Sequence, residues 1–204
     1  MSLPRRALLR RGFACVGFLG AGCVASPSDD PTRTDGATPT GTDGGPTVSL
    51  AAVDDPPALP VRPSVAVVDP TATDAHPPQV RVTVTNRSDG TVTAGEGREI
   101  VFAYVTDGAG ALTLLPTDGA YPVEAGCWRL REPIAVTQEY RTVTLAPGEA
   151  VSRVQGVYGA AGGTDCLPTG TFRFAATYRV TAGETTTGGE EGRHATWGFS
   201  LSLS

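Results

Sequence analysis

Cysteines are the residues of this 204-residue chain whose type and spacing bear most directly on chemistry. Cys127 and Cys166 are the two that follow the N-terminal region, and in an exported protein such a pair most simply forms a disulfide. Closing a loop of about 40 residues would remove roughly 4 kcal/mol of denatured-state entropy. The alternative is a catalytic thiol, which needs a neighbouring histidine base and a reducing compartment. We predict the disulfide.

The two histidines, His76 and His194, lie in Pro- and Gly-rich surroundings. Glu190 and Glu191 precede His194 and could offer carboxylate ligands to a metal. They lack the helical H-E-x-x-H frame that places two imidazoles on one face. We therefore predict a surface hairpin loop here, with no metal site, no cofactor and no catalytic residue in the chain.

Asn86-Arg87-Ser88 is an N-x-S sequon, so Asn86 is a candidate N-glycosylation site on an exported chain. The same residues, continued by Asp89-Gly90, are also good turn formers because Asn, Ser, Asp and Gly each favour tight turns. The sequence leaves modification and turn formation open as alternatives.

The N-terminus has the character of an export signal. Arg5-Arg6 followed by an apolar pair resembles the twin-arginine signal, and Leu19-Gly20-Ala21-Gly22-Cys23 resembles a lipobox, whose cysteine becomes lipidated. Residues 1–22 are accordingly predicted to be a lipoprotein signal peptide, with Cys23 as the lipid-anchored residue. The alternative is ordinary cleavage near Ala25. Lipidation would hold the protein at the extracytoplasmic face of the cell membrane.

Residues 23–60 are predicted to be a disordered linker, because Ser26–Pro46 has Ala37 as its only apolar side chain. Val48–Val53 is left open as a first strand or the end of this linker. All 16 basic residues of the chain are arginine, and loss of the signal leaves 12 basic against 21 acidic residues, a charge of about −9. Such a surface disfavours nucleic acid as a partner. It is typical of salt-loving archaea, although a high-GC genome would also favour arginine.

Alternation of apolar and polar residues predicts an all-β domain. Gln79–Thr85 places three valines on one face, Phe172–Val180 alternates aromatic and polar residues, and Trp197–Leu203 closes the chain in the same way. Arg98–Thr106 is apolar on both faces and is predicted to be a central strand. Together these segments indicate about eight or nine antiparallel strands in a two-sheet β-sandwich.

Three motifs, Val80–Asn86, Leu145-Ala146-Pro147-Gly148-Glu149 and Gly170–Phe174, resemble those of an immunoglobulin-like family that includes the intracellular proteinase inhibitors. Similar modules occur in haloarchaeal lipoproteins. The resemblance implies an immunoglobulin-like sandwich over residues 61–204. It implies a non-enzymatic binding or structural module with an unknown protein or cell-surface partner, and alternatively an inhibitor of extracellular proteases. No inhibitor-specific residue can be carried over to this chain, because a fold does not by itself specify a function.

Overall fold

A computed structural model describes residues 45–98, 100–124, 126–136, 139–183 and 192–204. The predicted signal peptide, Cys23 and linker residues 23–44 lie outside these ranges. The described part contains ten strands: β1 Val48–Val53, β2 Val61–Asp69, β3 Gln79–Asn86, β4 Val92–Gly97, β5 Val105–Thr106, β6 Leu112–Pro116, β7 Tyr140–Leu145, β8 Ala150–Gly159, β9 Gly170–Ala182 and β10 Arg193–Leu203. Within the described ranges no helix is long and apolar enough to cross a membrane.

The strands form two five-stranded antiparallel sheets. The first sheet has the order β1-β10-β9-β4-β7 and the second has the order β2-β3-β8-β6-β5. This arrangement confirms the predicted all-β sandwich, with ten strands where the sequence indicated about eight or nine.

The core lies between the sheets and follows the predicted alternation. Val80, Val82 and Val84 of β3 are at most 1% exposed, so every second residue of that strand is in the core. From the facing sheet, Phe174 of β9 and Phe199 of β10 pack with ring centroids 5.8 Å apart. Aromatic side chains carry the largest apolar areas, so these strands contribute most of the burial.

The Pro147-Gly148 segment forms the predicted turn. Glu149 N donates to Ala146 O at 3.0 Å, and Gly148 has φ 75°, which glycine adopts without steric cost. Because β7 belongs to the first sheet and β8 to the second, this turn carries the chain between the sheets.

The predicted boundary of the linker at residue 60 is wrong. β1 pairs with β10 from Val48–Leu203 to Val53–Phe199, and Val48 is 1% exposed. The other five residues of β1 are exposed, so its sequence has no amphipathic alternation that would have marked it as a strand. The folded domain therefore begins by residue 48.

The predicted central strand Arg98–Thr106 is also wrong. Only Val105–Thr106 is a strand, at the edge of the second sheet, and the described residues before it form turns. Val101, Phe102 and Ala103 are nevertheless at most 1% exposed. The apolar composition therefore predicted burial correctly, but the buried element is a loop inserted between the sheets.

Candidate functional site

The segment Arg98–Tyr104, of which Glu99 lies outside the described residues, is called the inserted loop, and Phe102 anchors it in the aromatic core. The Phe102 ring lies 5.2 Å from Phe199, 5.6 Å from Trp197 and 6.2 Å from Tyr178, measured between centroids. Trp197 is itself 1% exposed, so all of this ring packing takes place in the core. Removing Phe102 from water and packing it among three rings stabilises the loop by about 2–4 kcal/mol.

Buried side chains satisfy the backbone of the inserted loop. The Glu96 carboxyl accepts hydrogen bonds from Val101 N at 2.9 Å and from Phe102 N at 3.3 Å. From the opposite sheet, Gln155 Nε2 donates to Val101 O at 2.8 Å. Buried backbone groups need such partners, because an unpaired group costs roughly 1–3 kcal/mol. These two side chains therefore hold the loop in the core.

Glu96 is a carboxyl in an apolar environment. It is 3% exposed, and burial raises its pKa to about 8, while the hydrogen bonds from Phe102 and Val101 act in the opposite direction. At pH 7 the group is consequently mostly protonated and carries little charge.

The inserted loop concentrates unusual backbone conformations. Arg98, Val101, Phe102 and Tyr104 have φ between 59° and 74°, and they are the non-glycine residues with positive φ in the described part of the chain. Side chains disfavour this region, and each instance costs on the order of 1–3 kcal/mol. Such strain persists where surrounding contacts impose it, and it often marks a binding or catalytic site.

A cleft of about 530 Å³ lies beside the loop. Its lining combines the end of β4, the second half of the loop, β5, the start of β7 and the middle of β9: Glu96, Gly97, Arg98, Ala103, Tyr104, Val105, Thr106, Glu139, Tyr140, Ala175, Ala176 and Thr177. The cleft exists because the chain turns away from the first sheet after β4, while β9 continues past that point to Gly170.

Tyr140 forms one wall of the cleft. Its ring lies over Gly95, in the space that a Cβ at that position would occupy. Tyr140 is 51% exposed, more than Leu50, Val53 and Val68, the other large apolar side chains exposed in the described ranges. Burial against the sheet raises the pKa of its hydroxyl. A glycine on β4 is therefore what positions an exposed aromatic surface at the cleft.

Arg98 supplies the positive charge of the cleft. It is exposed, and one of its N–H groups donates to Tyr104 O at 2.8 Å. A guanidinium carries five donors, so most of them remain available for a ligand. The acidic residue at the mouth, Glu139, is paired with Arg141 at 2.8 Å.

Two further cavities are weaker candidates for a binding site. The largest, about 850 Å³, borders the β9–β10 hairpin, of which residues 184–191 lie outside the described ranges. A cavity of about 300 Å³ lies on the other side of the inserted loop and shares Arg98, Tyr104 and Thr106 with the cleft. The loop thus separates two cavities, of which only the larger reaches β9.

The predicted disulfide is present. Cys127 and Cys166 are bonded with their Cα atoms 5.1 Å apart, and the bond joins the segment before β7 to the loop after β8. Trp128 beside it is partly buried, donates from Nε1 to Thr73 O at 2.8 Å, and packs edge-on against Tyr158. Neither cysteine lines the cleft, so the disulfide is separate from the candidate site.

The candidate glycosylation site at Asn86 is not compatible with this fold. Asn86 is 0% exposed, and its Nδ2 donates to Gly90 O at 2.8 Å and to Leu145 O at 3.0 Å. Its Oδ1 accepts from the backbone N–H of Ser88 at 2.9 Å. Both amide hydrogens are engaged and the nitrogen is inaccessible, so the turn alternative is correct and the residue is structural.

The histidines lie apart from the cleft. His76 Nε2 is 3.3 Å from Asp69 Oδ2, and His194 is exposed on β10 opposite Arg179. Among the described residues no group of three His, Cys, Asp or Glu side chains lies close enough together to hold a metal ion. Glu190 and Glu191, named with His194 above, lie outside the described residues.

Sequence reasoning missed Glu96 and Arg98 as site residues. The available signal was the sequence Gly95-Glu96-Gly97, because two glycines around a carboxylate are unfavourable within a strand. They indicate a place where the strand ends or where another group approaches the backbone closely.

Comparison with family models, curated proteins and solved structures finds no match.

Proposed function

We propose that this chain is an exported, lipid-anchored protein whose immunoglobulin-like sandwich is a non-enzymatic binding module, with the cleft beside Arg98 as its binding site. The observation that supports this most strongly is the coincidence of the strained loop with the cleft. Four non-glycine residues of the inserted loop have positive φ, and the loop lies where, among the described strands, the edge of β9 is left unpaired at the cleft. A continuous strand would have avoided the strain and left no cleft.

The groups around the cleft suit recognition. They include a guanidinium, two tyrosine rings and an uncharged carboxyl whose oxygens already accept hydrogen bonds from the loop. A nucleophilic mechanism would need Ser, Cys or Thr within reach of a base such as His. The described lining holds threonine but no histidine, serine or cysteine, which favours binding over catalysis.

The sequence supports the membrane anchor. With Cys23 lipidated, about 25 residues would separate the anchor from the first strand, which begins at Val48.

A cross-linked pull-down from native membranes, at the salt concentration of the organism, tests the proposal with four full-length proteins. Wild type and the matched control Arg62→Gln, an exposed arginine on β2, should enrich the same partner. Arg98→Gln should lose that partner while remaining folded, and Cys23→Ser should leave the membrane fraction. Equal capture by Arg62→Gln and Arg98→Gln would remove the cleft from the proposal.

A protease assay distinguishes the alternative function, inhibition of extracellular proteases, from binding to another kind of partner. A panel of extracellular proteases incubated with micromolar protein should retain full activity if the module binds another kind of partner. Slowing of any one protease by wild type, and not by Arg98→Gln, would assign the cleft to inhibition.

A further inference from the structure

Within the described part of the chain, no strand pairs with the edge of β9 inside the cleft, so its backbone groups can accept a further strand. In an antiparallel sheet, the backbone N–H and C=O groups of every second residue point towards the same neighbouring strand. At one end Gly183 N donates to Thr91 O at 2.8 Å, and at the other Gly108 N donates to Arg173 O at 3.0 Å. Odd-numbered residues of β9 therefore face this side, and the N–H and C=O of Ala175 point into the cleft.

The unpaired stretch of the β9 edge, between the end of its ladder with β4 and its contact with Gly108, has the length of a short peptide segment. The β4–β9 ladder ends at Glu96–Tyr178, and among the described residues the next backbone hydrogen bond on this edge is that of Gly108 with Arg173. Strand residues advance about 3.3 Å each, so the interval of five residues corresponds to roughly 16 Å. Extended chain of about three residues fits there without displacing either end.

The charge of the cleft favours an anion. Arg98 is a cation at its wall, Glu139 is neutralised by Arg141, and Glu96 is mostly protonated at neutral pH. A guanidinium pairs with a carboxylate through two parallel hydrogen bonds, which gives orientation as well as attraction. Tyr104 and Tyr140 offer apolar ring surface to the side chains that would precede such a carboxylate.

We propose that the cleft binds the C-terminal end of an extended peptide, with peptide backbone paired to Ala175 and the terminal carboxylate on Arg98. This inference rests on the proposed function and specifies the class of ligand. Backbone pairing would give affinity independent of sequence, and the carboxylate would restrict binding to chain ends.

The test uses the full-length chain carrying Cys23→Ser, to omit the lipid, and two pools of fluorescent five-residue peptides with randomised side chains. One pool has a free C-terminal carboxylate and the other is amidated. Fluorescence anisotropy should give at least ten-fold tighter binding for the carboxylate pool. Adding Arg98→Gln should abolish that difference, whereas adding Arg62→Gln should preserve it. Amide hydrogen exchange at Ala175 should slow when the carboxylate pool is present.

Equal affinity for both pools, no binding of either, or unchanged exchange at Ala175 would overturn the inference. Complete displacement by acetate at the peptide concentration would also overturn it, because the site would then recognise an anion and not a peptide end. If the peptides fail while Arg98→Gln still abolishes partner capture from membranes, the proposed function stands and only the ligand class is wrong. Thermal unfolding of each variant separates loss of binding from loss of fold.

Discussion

Replacing Glu96 with glutamine tests how the inserted loop is held. Glutamine keeps the shape of the side chain and an oxygen that can accept from Val101 N and Phe102 N, but it cannot ionise. The substitution therefore removes the titration of this buried group and leaves the geometry in place.

The magnitude follows from the pKa of Glu96, which is 4.5 as a reference and about 8 in the fold. Because the folded pKa is the higher one, the unfolded chain loses its proton first as pH rises. The contribution of Glu96 to stability is complete below about pH 4.5 and is lost progressively up to about pH 8. The slope is about 1.4 kcal/mol per pH unit, so roughly 5 kcal/mol is lost over that range. Typical domains have 5–15 kcal/mol in total.

Ionisable neighbours of Glu96 titrate outside this range. Tyr178 and Tyr140 lie on the adjacent strands β9 and β7, and burial raises the pKa of each above the ordinary tyrosine value. Their protonation is therefore constant between pH 5.5 and 7.5. Over these two pH units wild type should lose roughly 2–3 kcal/mol of unfolding free energy through Glu96.

Urea unfolding of wild type and Glu96→Gln at fixed salt, at pH 5.5, 6.5 and 7.5, measures this difference. Glu96→Gln should be similar to wild type or slightly less stable at pH 5.5, and more stable at pH 7.5. The matched control Glu139→Gln, an exposed carboxylate paired with Arg141, should follow wild type at every pH. Parallel curves for wild type and Glu96→Gln would refute the buried, protonated state of Glu96.

Three further variants probe the fold around the site. Asn86→Ala should cost about 1–3 kcal/mol in urea unfolding, because it removes the Nδ2 donor to the buried carbonyl of Leu145, and mass spectrometry of wild type from native membranes should find no glycan on Asn86. Replacing Cys127 and Cys166 together by serine should cost about 4 kcal/mol relative to oxidised wild type on the chain-entropy model, and reduced wild type should match the double variant. Gly95→Ala should displace the ring of Tyr140 while changing stability by less than about 1 kcal/mol, seen as shifted Tyr140 ring resonances in NMR; unchanged resonances would contradict the described packing.

Alternation predicted the strands that have one buried and one exposed face. Gln79–Thr85 was assigned correctly because its three valines meet the core directly, and the same reasoning held for the long strand β9. β1 was left undecided because almost all of it is exposed, so its position depends on pairing with β10 and not on its own pattern.

The inserted loop could not be recognised from its composition. A run of apolar residues predicts burial, but a buried strand and a buried loop bury the same side chains. What decides between them here is the capture of two backbone N–H groups by Glu96, which lies two residues before the loop. Side-chain contacts of this kind become visible only when the three-dimensional position of the carboxyl is known.

Asn86 shows that a sequence motif alone does not establish whether the residue is accessible for modification. The sequon describes the chemistry that an enzyme recognises, whereas modification also requires the nitrogen to be accessible. The hydrogen bond from Nδ2 to Leu145 O joins residues 59 positions apart, and no local pattern indicates it.

Photo-crosslinking in intact cells tests most directly whether the cleft is the binding surface of this protein. A benzophenone amino acid replaces Tyr140 in the cleft, or Val68 on β2 as a control of similar exposure, since the two are 51% and 41% exposed. We predict that irradiation at native salt gives a discrete heavier species for position 140 and none for position 68. The same adduct pattern at both positions, or no adduct at position 140, would contradict the assignment of the cleft as the binding site.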